Sequence, residues 1–170
     1  MTTAAANAKL AGITLFVSSG NDGYCDSMGW PGCLTDVISV GAVYDAPFGT
    51  YLPCVTEESC ASSTETRGCA TGWYATDNTA GDMVTSYSNS APFLDLLAPS
   101  NQTYTLGLSG GYNTSFGGTC AACPYAAGAG AVLQSAAKAI NGSYLSPDAL
   151  ESNLAGNGVD VTDSKVAITK

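Results

Sequence analysis

Two apolar runs dominate the first quarter of the chain. "ITLFVSSG", Ile13 to Gly20, is rich in β-branched and aromatic residues and predicts a strand buried on both faces. "GNDG" then forces a turn. "DVISVGAV", Asp36 to Val43, predicts a second buried strand, and the loop between the two carries Cys25 and Cys33. Ahead of both, Ala4 to Leu10 is Ala-rich with no breaker before Gly12, which predicts a helix. Helix, strand, loop and strand in that order predict an α/β fold, a mainly parallel sheet flanked by helices.

Beyond Tyr44 the pattern changes. As far as Ser86, Gly, Thr, Ser and Cys dominate and neither a period of 2 nor one of 3.6 persists. The stretch from 44 to 86 is therefore expected to be an irregular insertion without a core of its own, pinned by Cys54, Cys60 and Cys69. "FLDLLAP" is again strand-like and stops at Pro99, while "TYTLGL" and "GGYNTSFGG" predict extended segments around a Gly-rich turn. Thr119 to Ile140 is the longest helical stretch, so poor in bulk that it is expected to be buried. Ser146-Pro147-Asp148 opens one more helix, with a capping Ser and a Pro in the first turn.

Composition narrows the classes. A chain of 170 residues, 45% hydrophobic, is long enough for one sizeable core and one domain. Five basic residues against 14 acidic ones give a net charge of -9, which repels phosphate backbones and argues against nucleic acid as a partner. No apolar run approaches the ~20 residues that cross a bilayer, so no membrane partner is expected. Seven Cys in a weakly charged chain, with acceptor sequons at Asn101, Asn113 and Asn141, point to an extracellular, oxidising location. An odd count leaves at least one thiol over.

Two features could carry chemistry. "FGGTCAACPYAAG" places Cys120 at the mouth of a lean helix, where unpaired N–H groups and the helix dipole stabilise a negative charge. On spacing alone, the reading of Cys120 as a small buried apolar residue or a disulfide partner is favoured over a reactive thiolate. "SSGND" ends the first buried strand, and in open α/β sheets ligands bind beyond the carboxyl ends of strands. Asn21 would offer an amide donor there, of the kind a developing oxyanion needs, although Asn-Asp-Gly is also ordinary turn chemistry.

Taken together and in order, "AGITLFVSSGNDG", "WPGCLTDVISVGAV", "YSNSAPFLDLLAPS" and "GGTCAACPYAAGAGAVLQ" resemble segments of the C-terminal half of subtilisin-like serine peptidases. The resemblance implies that Asn21 stands at the oxyanion-hole position and Cys120 where the family has its nucleophilic Ser. Gly118 and Thr119 match the residues that shape the turn before it, and Pro124 matches the helix proline. Ser18, Ser19 and Gly20 fall on the wall of the pocket that receives the substrate side chain, and Thr119 completes that substrate-binding set. Tyr125 and Ser100 depart from the His and Gly usual at their positions. The implied substrate is a peptide or protein and the implied reaction is peptide-bond hydrolysis through an acyl-enzyme. No cofactor is implied. Some family members hold a structural cation such as calcium before the strand matching "DVISVGAV", but Asp22, Asp26 and Asp36 read as solvated charges and no metal ligands are assigned.

The family's catalytic Asp and His belong to the N-terminal half, and this chain contains no His and no matching segment. It opens on a helix that the family places mid-domain and closes on "DSKVAITK", where the family continues. The expectation is a partial domain, inactive or nearly so alone, with the missing N-terminal half as a further partner. A non-catalytic binding or structural module is the alternative. If Cys120 is the nucleophile, six Cys remain for pairing, and Cys25 with Cys33 is the favoured pair; Cys123 could equally be the odd thiol. The Cys120-x-x-Cys123 spacing also matches redox and zinc motifs, where zinc would need two further Cys from the 44–86 stretch.

Overall fold

The computed structural model describes residues 1–166 and the backbone of Ile168–Thr169; Ala167 and Lys170, in the closing "DSKVAITK", lie outside the described residues. In chain order the elements are α1 (Thr2–Leu10), β1 (Phe16–Ser18), β2 (Ile38–Tyr44), β3 (Thr50–Tyr51), β4 (Cys54–Thr56), β5 (Gly72–Tyr74) and β6 (Asp77–Asn78). They continue with β7 (Leu96–Ser100), β8 (Thr103–Leu106), β9 (Tyr112–Phe116), α2 (Thr119–Asn141), α3 (Pro147–Gly156), β10 (Thr162–Asp163) and β11 (Ile168–Thr169).

β1, β2 and β7 form a parallel sheet with β2 in the middle, in register Phe16↔Ile38 and Val40↔Leu96. A central strand covered on both faces has no place for an exposed side chain, and every residue of β2 is buried. Ile38, Val40 and Ala42 cluster with Ala122 and Ala126 of α2. The alternate face packs differently: Val43 meets Val84 and Val161, while Ser39 bonds the Asp95 carboxylate through its N–H and its hydroxyl at 2.8 and 2.7 Å. The strand predicted from "FLDLLAP" begins only at Leu96, because the preceding residues turn and leave Phe93 52% exposed.

The leanness of α2 serves one stripe. Ala122, Ala126 and Gly130 recur at intervals of four and are all buried against the sheet. A Cβ at Gly130 would stand 2.9 Å from the Phe16 ring, so β1 and α2 approach as closely as a missing side chain permits. The helix is not buried all round, contrary to what its composition suggests: Val132 and Ile140 are 71% and 81% exposed.

The 44–86 stretch folds onto the main body through two short antiparallel ladders, β3–β6 and β4–β5. Lacking bulk for a core of its own, it lends Val55, Ala61 and Ala75 to the main one. Asp77 is buried and paired throughout, accepting from the Tyr44 hydroxyl at 2.6 Å, the Ser86 N–H at 2.9 Å and the Ser86 hydroxyl. Burial and that carboxylate push the Tyr44 hydroxyl above its ordinary pKa.

The expected pairing of Cys25 with Cys33 is corrected: the disulfides are Cys25–Cys60 and Cys54–Cys69. Thr56 N–H bonds Asp22 O at 3.0 Å and the Ser59 hydroxyl bonds Gly23 O at 3.0 Å, which carries Cys60 to Cys25. Cys33 stays free and exposed at the far end of its loop, and Cys120 and Cys123 are also free. The 160s return to the body through Lys165. Its buried ammonium donates to Thr85 O at 2.9 Å and Ser88 O at 2.7 Å, 3.9 Å from the Asp163 carboxylate.

Gly41, mid-β2, tests this packing. A Cβ there would sit 2.9 Å from both Leu97 Cδ2 and Ser88 Oγ. Gly41→Ala is expected to destabilise the fold by about 1–3 kcal/mol through overpacking, measured as a lower urea midpoint with unchanged slope.

Candidate active site at the mouth of α2

β1 and β7 end beside the start of α2, and their termini hold the Gly117-Gly118-Thr119 turn from two sides. On the β7 side the Ser100 hydroxyl donates to Gly118 O at 2.7 Å, and the buried Tyr87 hydroxyl lies 2.9 Å from Ser100 Oγ and bonds Asn101 Oδ1 at 2.5 Å. The departure of Ser100 from the usual Gly therefore supplies a clamp. On the β1 side the Ser18 hydroxyl donates to Thr119 O at 3.1 Å.

Asn21 closes the junction. Its Oδ1 accepts from the Thr119 N–H at 2.8 Å and from the Thr119 hydroxyl at 3.0 Å. A backbone N–H can only donate, so it fixes which end of the carboxamide is oxygen, and Nδ2 with its two protons faces away from Thr119. Gly118 has φ +80, and a Cβ on it would come within 3.2 Å of Asn21 Oδ1. Only glycine meets both conditions at no cost. Asn21 is thus joined to Thr119, 98 residues away in the sequence and next to Cys120.

The wall residues divide. Ser18 is half-buried and aimed at α2, whereas Ser19 is fully buried, its Oγ without a partner among the described residues. Ser19 O accepts from Gly29 N–H at 2.7 Å, and the Gly29–Cys33 loop presses on this segment so closely that a Cβ at Gly32 would lie 2.7 Å from Ser18 O. On the other side of Asn21 and Gly118, a cavity of about 800 Å³ is bounded by Phe48, Tyr51, Tyr87 and Gln102.

Asn89 is the residue that sequence reasoning passed over. Fully buried, it accepts at Oδ1 from the N–H groups of Asp22 and Tyr24, at 2.9 and 3.1 Å. Its Nδ2 donates to Ser19 O at 3.2 Å and to Asp22 Oδ2 at 3.0 Å. It therefore holds the loop carrying Asn21 from beneath, and a Cβ at Gly20 would strike its amide at 2.3 Å. The available signal was the polar Ser-Asn pair inside "YSNSAPF".

Cys120 is exposed and Cys123 half-buried behind it. Burial pushes the Cys123 thiol up; the Ser18 hydroxyl opposes the shift and the Cys120 charge adds to it. Among the described residues no group of three His, Cys, Asp or Glu side chains is placed to hold a metal ion. Cys54, Cys60 and Cys69, the thiols a zinc site would recruit, are consumed in disulfides.

A family model described as the subtilase family matches residues 1–163. No curated protein matches the chain. Among solved structures, the chain is similar to the self-cleaved protease domain of PatA, with TM-score 0.65, 20% identity, and coverage of 93% of this chain and 46% of that one. It is similar also to the patellamide maturation protease PatA (TM-score 0.68, 20% identity, 98% and 49% covered) and the prenylagaramide maturation protease PagA (0.67, 20%, 97% and 49%). The likeness shows the fold, and the chain spans about half the length of these structures.

Asn89→Ala leaves the Asp22 and Tyr24 N–H groups without their acceptor and Ser19 O with only its bond from Gly29, and is expected to cost roughly 2–4 kcal/mol in urea unfolding. Asn89→Asp is expected not to rescue it, because the new carboxylate cannot donate to Ser19 O and faces Asp22. In timed alkylation near neutral pH, Cys33 and Cys120 are expected to react before Cys123, whose modification should catch up only as the pH is raised.

Proposed function

Because the chain belongs to the subtilase family, we propose that it is the nucleophile-bearing C-terminal half of a peptide-hydrolysing domain, with an insertion at about 44–86. Cys120 takes the place of the serine. What carries the reading is the pair of bonds from Thr119 to Asn21 Oδ1, which leave Nδ2 free beside the start of α2.

In this reading Cys120 Sγ attacks the substrate carbonyl carbon, and the oxygen, becoming negative, accepts from Asn21 Nδ2. The Cys120 N–H is the natural second donor, since a first-turn amide has no carbonyl four residues back within the helix. Expulsion of the leaving group yields an acyl-thioester. Ser18 and the backbone of Ser19 and Gly20 form the wall beside the substrate side chain, with Thr119 at its corner. The substrate is a peptide or protein, and an extracellular setting suits the two disulfides.

The chain has no histidine to take the proton from the thiol or return it to a leaving amine. An oxyanion hole and binding alone typically retain ~10³–10⁴ of acceleration over water. The base and its orienting carboxylate are therefore assigned to a segment outside this chain, the missing N-terminal half, and the chain alone should accept acyl groups from activated esters but not cleave amides.

The test is acylation by a peptide activated ester, followed by mass mapping. Cys120 is expected to be the acylated residue, and Asn21→Ala is expected to slow the reaction by about 10²-fold. Iodoacetamide, whose attack develops no oxyanion, should alkylate Cys120 equally in both proteins. Acylation elsewhere, or an Asn21→Ala rate equal to wild type, would sink the assignment.

A further inference from the structure

The start of α2 holds a second thiol for which the hydrolytic step has no use. Cys123 follows Cys120 by three residues within one helix. That spacing sets two Cα atoms roughly 5 Å apart, inside the roughly 4.4–6.8 Å range that a disulfide spans. The Cβ atoms of such a pair are neighbours at about 5–6 Å, so bonding the sulfurs requires only a local tightening of the turn.

Pro124 makes the tightening cheap. A helical residue's N–H bonds the carbonyl four positions back, and for Pro124 that carbonyl belongs to Cys120; proline has no N–H to give. At the entrance, Ala121 and Ala122 both bond Gly118 O, at 2.9 and 3.4 Å, so the turn already starts in the tighter three-residue spacing. The thiols are also placed unequally. Cys120 is exposed and open to reagents, Cys123 is half-buried behind it, and the Cys120 charge is among those that Cys123 feels. Four of the seven cysteines are already oxidised as disulfides, and these two are not.

We infer that Cys120 and Cys123 form a reversible dithiol–disulfide site that reacts with small-molecule disulfides such as oxidised glutathione. The Cys120 thiolate attacks one glutathione sulfur, the glutathione S–S bond breaks, and one glutathione leaves as its thiolate. Cys123 then gives its proton to solvent and attacks Cys120 Sγ. The second glutathione thiolate leaves and takes up a proton. Two protein thiols are oxidised and one glutathione disulfide is reduced to two thiols. The modification itself is independent of the proposed hydrolase; its consequence, withdrawal of the nucleophile, rests on that reading.

The test equilibrates the full chain with oxidised and reduced glutathione, quenches with acid, alkylates and maps the peptide containing both residues. In wild type that peptide is expected to become lighter by two hydrogens and to take no alkyl group at either Cys, with both changes reversed by dithiothreitol. Cys123→Ser is expected to stop at a glutathione adduct on Cys120. Cys33→Ser should behave as wild type. A wild-type protein that also stops at the adduct, or that joins Cys120 to Cys33, would overturn the proposal. Since mapping needs no substrate, a closed disulfide without Asn21-dependent acylation removes only the hydrolase reading, and acylation without closure removes only the redox site.

Discussion

The separation between α2 and the sheet is the constraint on which the site depends. With alanine at 122 and 126 and glycine at 130, the helix rests on β1 and β2 at a distance that larger residues would forbid. At that distance Thr119 reaches Asn21, and Ser18 reaches the carbonyl of the same threonine. Apolar packing thereby sets a polar geometry. The hydrogen bonds at the mouth of α2 are too few to hold a helix in place, but they suffice to orient one carboxamide once the helix is already there.

Around that junction the protein relies on carbonyls and amides in place of charged pairs. Ser100 grips Gly118, and Asn89 underlies Asp22 and Tyr24. Buried networks of this kind rigidify when complete. Asn21 differs in having its acceptor engaged and its donor aimed away. That asymmetry makes it a candidate for chemistry and leaves Asn89 a support.

Much of this was legible in the chain. The run from Asp36 to Val43 marked the central strand because a strand covered on both faces has no polar alternation to obscure it, and "GGT" before the alanine run marked the helix start. The run from Ile13 to Gly20, expected to be buried on both faces, forms only the short, half-buried β1 at one end of the sheet order. The burial of α2 was overestimated because alanine content reports how closely one face can approach, and Val132 and Ile140 show that the other face is open. The pairing of Cys25 was misjudged for a different reason. Nearness in sequence favoured Cys33, but the bonds from Thr56 and Ser59 to the Asp22–Gly23 turn draw Cys60 in, and long-range contacts of that kind leave no local trace. Asn89 was hidden for the same cause, since its partners lie more than 60 residues away.

Lys165 links the end of the described chain to this arrangement. Its ammonium binds the carbonyl of Ser88, the residue before Asn89, and so steadies the far side of the peptide whose side chain supports the Asn21 loop. A cation tethered to the polypeptide thus does what a bound ion would do, with the difference that no chelator can remove it. The geometry at the mouth of α2 consequently answers to the covalent integrity of a distant tail, and a protease nicking that tail would be felt at the loop that carries Asn21.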